Sequence, residues 1–404
     1  MSNPLAKKIV PCFYRIKNNN FINVAKLAPN LYETFDTYSP DAKKYLRVPS
    51  VIVGTHDIRA RSGSFRNPWR ADVPKWYAPH PFTFTTDSLS DIADQRAIEL
   101  VNIAKSTNKK IIIMWSGGID STFMLTSFLK NISLEDQELL TVACTSQSIA
   151  DNTDFYLKFL SANTKIKLIN AVDLYVNNDC LTNNLVLHGD PADGVFGPSG
   201  GMYSHFSTQD QHLEPWRKHL PTMASLIEPK VEVNGFTEPG LGSWYCDIVT
   251  RTLEESGQAD YISTVADWWW WNYFNFKWHL VTLLPLFSTL LDEQDEGITL
   301  ENQKIYADTA YFNSPAFQHW SYSNLKELIG HNFFNTHKLK AREYIYEFDN
   351  NFQYFSRKRK TGVASPTQKM QKGNIIGYDH QFRPIQGGHE VRQVIDTLLQ
   401  KYKI

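Results

Sequence analysis

The sequence contains few cysteines, and they are far apart. The four are Cys12, Cys144, Cys180 and Cys246. Their spacing includes no C-x-x-C pair, which argues against a zinc ribbon and against a C-x-x-C redox or sulfur-relay pair. The simplest interpretation is that the cysteines are reduced, as in a cytosol-like compartment, and we therefore expect a cytoplasmic protein.

The chain also lacks an excess of charge of either sign and a long apolar run. Its 41 Lys and Arg residues nearly balance 42 Asp and Glu residues. Electrostatics therefore gives no case for nucleic acid as the main partner, although local basic patches leave RNA or DNA binding open. No segment approaches about 20 consecutive apolar residues, and residues 1–9 lack the apolar core of a secretory signal. We expect no membrane partner.

What the chain does contain is an alternation of predicted strands and helices. Residues 1–90 are rich in Pro, Asn and aromatics and predict a small strand-and-loop region. A helix follows over 92–104, with Ser90 or Asp91 as its cap. Strands are then predicted at 111–115, 140–145, 166–169 and 184–188, and helices at 121–131 and 152–163. This order is typical of an α/β fold with a parallel sheet flanked by helices, and the chain after about residue 205 is predicted to be mainly helical.

Aromatic residues are concentrated in residues 268–279, which begin with four consecutive tryptophans. Such rings can form a platform on which nucleobases stack. The alternative is a buried helix that is apolar nearly all round. We favour the buried helix, because the run leads into the apolar residues 280–284 and nothing nearby is markedly basic.

The most informative stretch is Met114–Ser121, Met-Trp-Ser-Gly-Gly-Ile-Asp-Ser, which follows the apolar run Ile111–Ile113. A strand, a glycine turn and a helix N-terminus together form an anion site, because backbone N–H groups and the helix dipole point at the ligand. The glycines let the backbone approach phosphates, the serines donate hydroxyl hydrogen bonds, and the aspartate suits a magnesium ion. Alternatively, these residues form only a turn and a helix cap. The predicted residues of this anion site are Ser116, Gly117, Gly118, Ile119, Asp120 and Ser121, with Asp120 acting through the magnesium ion.

This pattern differs from the Walker-type loop, which ends in Gly-Lys-Ser/Thr. Ser-Gly-Gly-x-Asp-Ser instead resembles the PP-loop of the N-type ATP pyrophosphatases, which include asparagine synthetase, β-lactam synthetase, GMP synthetase, NAD synthetase and several RNA-modifying enzymes. The resemblance implies an adenine nucleotide alpha hydrolase-like fold, with ATP and Mg²⁺ as cofactors and cleavage at the α–β bond. It also implies that Thr145, after the second strand, lies beside the adenosine.

A second cluster narrows the resemblance to the synthetase domain of asparagine synthetase and β-lactam synthetase. That family has a Gly-Glu-Gly-x-Asp-Glu-x-Phe-Gly-Gly segment, which Gly189, Asp193, Phe196 and Gly197 match. The resemblance implies that Gly189 contacts ATP and that Asp193 joins Asp120 around magnesium. Taken alone, the segment would be an ordinary Asp-Pro and Asp-Gly turn.

The second cluster also departs from the family. Asp190 stands where the family has a glutamate that orients or deprotonates the nucleophile, and its side chain is shorter. Pro191, Gly194 and Pro198 replace other family residues, Gly194 standing in place of an acid. These departures leave open which acceptor and which base the reaction uses.

A third cluster spans 337–344 and 356–362 and is rich in Lys and Arg. It resembles the family's Lys-x-x-x-Arg helix followed by an Arg-x-Lys-x-Gly segment. The resemblance assigns Lys360, or as second choice Lys358, to the lysine that stabilises the charge developing as pyrophosphate leaves. The alternative is a basic run on a solvated loop.

The resemblance covers residues 92–365. It divides the chain into an N-terminal region at 1–90, a PP-loop domain at 91–365, and a C-terminal loop and helix at 366–404. A glutaminase domain is not recognisable, since Ser2 follows Met1 and the first cysteine is Cys12. Nitrogen would therefore come from ammonia, an amine substrate or a separate amidotransferase subunit.

The function implied is an ATP-dependent amide ligase that adenylates a small-molecule carboxylate and transfers the acyl group to ammonia or an amine. Two alternatives remain open. One is a PP-loop enzyme that modifies a nucleobase or nucleotide. The other is a nucleotide-binding regulator without turnover.

Overall fold

The chain divides into two compact units. A computed structural model describes residues 82–171, 183–196, 209–233, 239–278, 300–328 and 338–357. The sheet unit comprises Ser88–Gly189, Thr309–Tyr311 and Lys338–Ile404, and the helical unit comprises Met1–Asp87, Asp190–Asp308 and Phe312–His337. The domain boundaries expected from the sequence stay a prediction.

Four parallel strands form the sheet: β1 Lys110–Met114, β2 Leu140–Cys144, β3 Lys167–Asn170 and β4 Asn184–Leu187, in the order β3-β2-β1-β4. Each lies within one residue of its predicted bounds. The central strand β1 is buried on both faces, as parallel strands covered by helices are. The α/β class and the parallel sheet flanked by helices are therefore confirmed.

The described helices alternate with the strands in the first half of the chain and continue without strands in the helical unit. In chain order they are α1 Leu89–Ser106, α2 Ile119–Asn131, α3 Ser146–Asp151, α4 Thr153–Phe155, α5 Ala192–Val195, α6 Gln209–His212, α7 Trp216–Val233, α8 Leu241–Glu255, α9 Val265–Tyr273, α10 Leu300–Thr309, α11 Pro315–Ser323, α12 Leu325–Leu328, α13 Leu339–Asp349 and α14 Phe352–Arg357. Single turns of 3₁₀-helix lie at Asp136–Leu139 and Ala259–Tyr261, and π-helical stretches lie at Tyr156–Ser161 and Phe274–Trp278.

The start of α1 differs from the prediction. Its N-cap is Ser88, whose side chain accepts a hydrogen bond from the backbone N–H of Asp91. The predicted caps, Ser90 and Asp91, lie inside the first turn. The helix begins earlier because Leu89 is buried and extends the apolar face by one position.

A shared carboxylate joins three helices of the sheet unit. Asp94 on α1 accepts hydrogen bonds from Lys130 and Asn131 at the end of α2, each at 2.7 Å, and from the hydroxyl of Tyr344 on α13. Because its donors come from both neighbours, Asp94 fixes α13 against the helix that follows the glycine turn.

The tryptophan run forms the buried helix that the sequence favours. Trp268–Trp271 lie on α9 and are at most 4% exposed. A capping box between Thr264 and Asp267 begins this helix. Within the described ranges, every helix is too short or too polar to traverse a lipid bilayer.

Candidate functional site

The glycine turn lies at the edge of the sheet where the strand order reverses. The turn connects β1 to α2, and β1 pairs with β2 on one side and with β4 on the other. Open α/β sheets bind ligands at such a switch point, outside the carboxyl ends of the strands. The sequence-predicted phosphate ligands therefore stand where this architecture places ligands.

The segment that follows β4 also lies beside the glycine turn. A Cβ atom added at Gly189 would lie 3.1 Å from the Cβ of Asp120 and 3.2 Å from the backbone nitrogen of Ser121. The structure thus brings together the glycine turn and the first residue of the second cluster. A side chain at this position would crowd the first turn of α2, which would have to shift slightly.

The turn is closed by its two serines. The backbone N–H of Ser116 donates to Ser121 Oγ at 3.0 Å, and the two hydroxyl oxygens lie 2.9 Å apart. Gly118 N–H donates to Ser116 Oγ at 3.3 Å, and Ser121 Oγ donates to the carbonyl of Gly118 at 3.3 Å. These bonds hold the backbone from Ser116 to Ser121 in one shape.

The two glycines have different reasons to be there. Gly117 has a φ of +72°, and a Cβ atom on it would lie 2.2 Å from the carbonyl oxygen of Ser148 and 2.8 Å from the Cβ of Asp151 on α3. The protein's own packing therefore requires glycine at this position. At Gly118, among the described residues, a Cβ atom would meet Ser116 Oγ at 3.2 Å, so the backbone there is more open to a ligand.

The N-terminus of α2 follows directly on this turn. The N-cap is Gly118, which has no side chain to cap the first N–H groups, and the helix is 13 residues long. The orphan N–H groups and the helix dipole together favour an anion. Asp120, in the first turn, directs its carboxylate to a lysine instead. The anion site and the alternative of a turn with a helix cap both stay predictions.

That lysine is Lys338, at the N-cap of α13. Its Nζ contacts both carboxylate oxygens of Asp120. The lysine side chain is 3% exposed, whereas that of Asp120 is 27% exposed. A buried positive charge thus lies at the first turn of α2, beside the predicted phosphate ligands.

Sequence reasoning missed the importance of Lys338. It named the cluster at 337–344 but gave the chemical role to Lys360 and Lys358, which lie outside the described residues. The spacing Lys338-x-x-x-Arg342 was the available signal. Pairing with Asp120 spans 218 positions in the chain, which no local pattern encodes.

A tyrosine of α14 also supports the turn. The hydroxyl of Tyr354 donates to the carbonyl of Gly117 at 3.3 Å, and its side chain is buried. Burial raises the pKa of Tyr354, and the carboxylates of Asp120 and Asp151 raise it further. The phenol therefore stays protonated and remains a donor.

A buried arginine keeps α14 in place. Arg342 Nη1 donates to the carbonyl of Phe355 at 2.8 Å, and its guanidinium lies over that residue's ring. Burial lowers the pKa of Arg342 from its usual value. Since α13 carries Arg342 and begins at Lys338, α13 and α14 both support the turn.

Two further residues frame the turn. Trp115, just before it, is 1% exposed, donates from Nε1 to Thr122 Oγ1 at 3.0 Å and stacks near Phe155. Thr145 begins α3 in a capping box with Ser148. Its predicted place beside adenosine stays a prediction, and Asn152 is the N-cap of α4.

The acidic residues of the second cluster belong to the helical unit. Asp190 precedes α5 and Asp193 lies on it, and the predicted pairing of Asp193 with Asp120 stays a prediction. Gly194 explains one departure from the family pattern. A Cβ atom there would lie 2.6 Å from Tyr273 Cε1 and 2.8 Å from Trp278 Cε3, so this fold has no room for the family's acid.

Comparison of the chain with protein-family models, with curated proteins and with solved structures found no match. The site combines a closed serine-glycine turn, a helix N-terminus without a side-chain cap, a buried ammonium and a partly exposed carboxylate. Among the described residues, no group of three or more His, Cys, Asp and Glu is placed to hold a metal ion.

Proposed function

We propose that the protein is an ATP-dependent amide ligase with an adenine nucleotide alpha hydrolase-like fold. The observation that carries the proposal is the position of the Ser116–Ser121 turn at the switch point, with the Lys338 ammonium at the same helix N-terminus. The parallel order β3-β2-β1-β4 is compatible with that fold. A phosphate chain is the anion that this combination fits best.

The residues present fit ATP with magnesium. The backbone N–H groups at the start of α2 and the hydroxyl groups of Ser116 and Ser121, which would rotate toward the ligand, would hold phosphate oxygens, and Asp120 would hold the metal. One carboxylate suffices for this role, because Mg²⁺ commonly keeps several waters and takes phosphate oxygens as its remaining ligands. The bound metal would neutralise charge on the departing pyrophosphate.

In the proposed reaction a substrate carboxylate oxygen attacks the α-phosphorus of ATP, and the bond to pyrophosphate breaks. The resulting acyl-adenylate is then attacked at its acyl carbon by ammonia or an amine, and AMP leaves. The amine gives up a proton, for which the resemblance assigns Asp190. The protein contributes mainly positioning and charge neutralisation, as in other phosphate transfers.

A pyrophosphate-release assay with ATP and Mg²⁺ tests this proposal. Carboxylic substrates are screened in the presence of ammonia or amines, and Asp120→Asn serves as the control for the site. Substrate-dependent pyrophosphate that the variant fails to release would support the ligase. If the wild type and the variant release equal amounts of pyrophosphate, Asp120 does not belong to the site.

A nucleotide-binding regulator is the second candidate. It is favoured by the packing at Gly194, which leaves no room for one of the family's acids. Such a protein would bind ATP through the same turn but release no pyrophosphate with any carboxylate tested. Equilibrium binding of ATP measured beside the release assay separates the two candidates.

A further inference from the structure

We infer that Asn351 is a positioning residue for the glycine turn, because its side chain joins two elements that contact Gly117. The inference rests on the proposed function, since the shape of this turn matters there for holding phosphate. It adds that ATP affinity depends on a residue outside the turn, which acts through Tyr354.

The first contact of the Asn351 side chain is with α14. Asn351 immediately precedes this helix, and its Oδ1 accepts a hydrogen bond from the backbone N–H of Tyr354 at 3.0 Å. This is the hydrogen bond of a helix N-cap. The hydroxyl of Tyr354 donates to the carbonyl of Gly117 and also hydrogen-bonds Thr122 on α2. The cap therefore fixes the residue that reaches the turn.

The second contact of the same side chain is with α4. Asn351 Nδ2 donates to Asp154 Oδ2 at 3.1 Å. Helix α4 follows α3 after the single residue Asn152. Helix α3 carries Ser148, whose carbonyl leaves no room for a side chain on Gly117. One amide thus ties the helix that donates to the turn to the segment on which the turn packs.

The backbone around Asn351 is held as well. Asp349 Oδ1 accepts a hydrogen bond from the N–H of Asn351 at 2.8 Å, and Lys158 Nζ donates to the carbonyl of Asp349 at 2.8 Å. Asp349 ends α13, and Lys158 lies in the π-helical stretch that follows α4. Because this backbone is held, the side chain of Asn351 sets the position of α14 relative to the turn.

An amide is the side chain that meets both needs of this position. Its oxygen accepts from the helix N–H, and its nitrogen donates to the carboxylate. Aspartate would be an equally good helix cap, but it has no donor for Asp154 and would place two carboxylates side by side. Since the hydrogen bond to Asp154 is exposed, we expect the fold to survive this change.

The variant Asn351→Asp gives the first test, with ATP binding measured by isothermal titration in the presence of Mg²⁺. At about pH 7.5 we expect an affinity about three- to tenfold below that of the wild type, the effect of one lost hydrogen bond. At about pH 5 the difference should shrink, because one of the two carboxyl groups can then hold a proton and donate to the other.

Asn350→Asp is the matched control, because it makes the same chemical change at the neighbouring position, where the side chain is exposed. This control should bind ATP as the wild type does at both pH values. Equal ATP affinity of Asn351→Asp and the wild type at neutral pH overturns the inference.

Exchanging the donor and the acceptor gives the second test. In the double variant Asp154→Asn with Asn351→Asp, the new carboxylate still caps α14 and the new amide donates to it from α4. We expect the ATP affinity to return to within about twofold of the wild type. A double variant that binds as weakly as Asn351→Asp alone would show that the hydrogen bond between α4 and α14 is not the cause.

The route through Tyr354 gives the third test. Tyr354→Phe removes the hydroxyl that contacts the turn, so adding Asn351→Asp to it should change the ATP affinity by less than about twofold. A residue that only supports general folding stability would weaken ATP binding equally in both backgrounds. That result would also overturn the inference.

The two proposals fail separately. If Asn351→Asp weakens ATP binding in this way but no carboxylate yields pyrophosphate, the positioning role stands and the ligase fails. If pyrophosphate is released but Asn351→Asp binds ATP as the wild type does, the ligase stands and the positioning role fails. A wild type that binds no ATP overturns both. Should Asn351→Asp not fold, Asp154→Ala breaks the same hydrogen bond and is judged by the same outcomes.

Discussion

At the scale of single residues, the two adjacent glycines of the turn have different structural roles. Gly117 has a left-handed backbone and lies against the carbonyl of Ser148, whereas Gly118 has a φ of −76° and a more open approach. The sequence pattern Gly-Gly does not distinguish these needs. Only the position of α3 shows that the first glycine supports the protein's own packing.

Replacing each glycine by alanine should therefore give different results. Gly117→Ala combines a backbone conformation that costs about 1 to 3 kcal/mol for a non-glycine residue with a steric clash, so its melting temperature should fall clearly. Gly118→Ala should leave the melting temperature nearly unchanged and weaken ATP binding. Calorimetry and ATP titration measure the two effects. A stable Gly117→Ala protein would contradict the account of this turn.

Tyr354 is a positioning residue in this account. Tyr354→Phe removes the donor to the carbonyl of Gly117 and should cost about 0.5 to 1.5 kcal/mol of folding stability. It should also weaken ATP binding, because the turn loses a contact that fixes its shape. Tyr346→Phe, on the neighbouring helix α13, is the control with a half-exposed ring. Equal ATP affinity in Tyr354→Phe and wild type would remove the residue from the site.

At the scale of elements, the N-terminus of α8 shows how the first N–H groups of a helix bind an anion, and it can be compared with the N-terminus of α2. The carboxylate of Glu228 accepts hydrogen bonds from the backbone N–H groups of Gly240 at 2.6 Å, Leu241 at 3.3 Å and Gly242. An internal anion thus fills the N-terminus of α8. The N-terminus of α2 begins at a glycine without a side chain, which is consistent with an external anion there.

Removing the anion from α8 should destabilise the helical unit. Glu228→Gln keeps the shape but loses the charge, and hydrogen bonds to charged groups contribute about 1.5 to 3 kcal/mol each before solvent screening. We therefore expect a loss of about 1 to 2 kcal/mol in denaturant unfolding. Glu254→Gln is the control, since its partner Arg217 is exposed. If both variants lose equally little, the carboxylate does not stabilise the helix N-terminus.

At the scale of the whole molecule, buried phenols predict a loss of stability in alkali. Burial raises the pKa of Tyr245, Tyr311, Tyr344 and Tyr354 above the usual tyrosine range. A raised native pKa stabilises the fold below the unfolded pKa of about 10, and this stability is lost as pH rises further. The buried thiols of Cys144 and Cys246, with pKa values raised to about 12, act in the same direction.

The melting temperature should accordingly begin to fall above about pH 8.5, where unfolded thiols ionise, and fall more steeply above about pH 10, where unfolded phenols ionise. The melting temperature should fall less steeply with pH in Tyr311→Phe. That variant removes one phenol that keeps its proton in the native state and loses it in the unfolded state. Tyr261→Phe, at an exposed position, should keep the wild-type slope. A melting temperature that is flat to about pH 11 would contradict the assignment of these phenols.

The sequence predicted those parts of the molecule that local patterns encode. The strands at 111–115 and 184–188 were recognisable because runs of branched apolar residues end in glycine turns, and both turns meet at the switch point. Lys338 and Tyr354 were not predicted as site residues, because their contacts with the turn span more than 200 positions. Gly194 departs from the family pattern in the sequence. Only the structure explains it, because the rings of Tyr273 and Trp278 leave no space for a side chain there.

The position of ATP cleavage tests the central claim most directly. The protein is incubated with Mg²⁺, α-labelled ATP and the screened carboxylates, and the labelled products are separated by chromatography. The account predicts labelled AMP that depends on the carboxylate and is lost in Asp120→Asn. Labelled ADP as the product would contradict cleavage at the α–β bond and with it the proposed ligase.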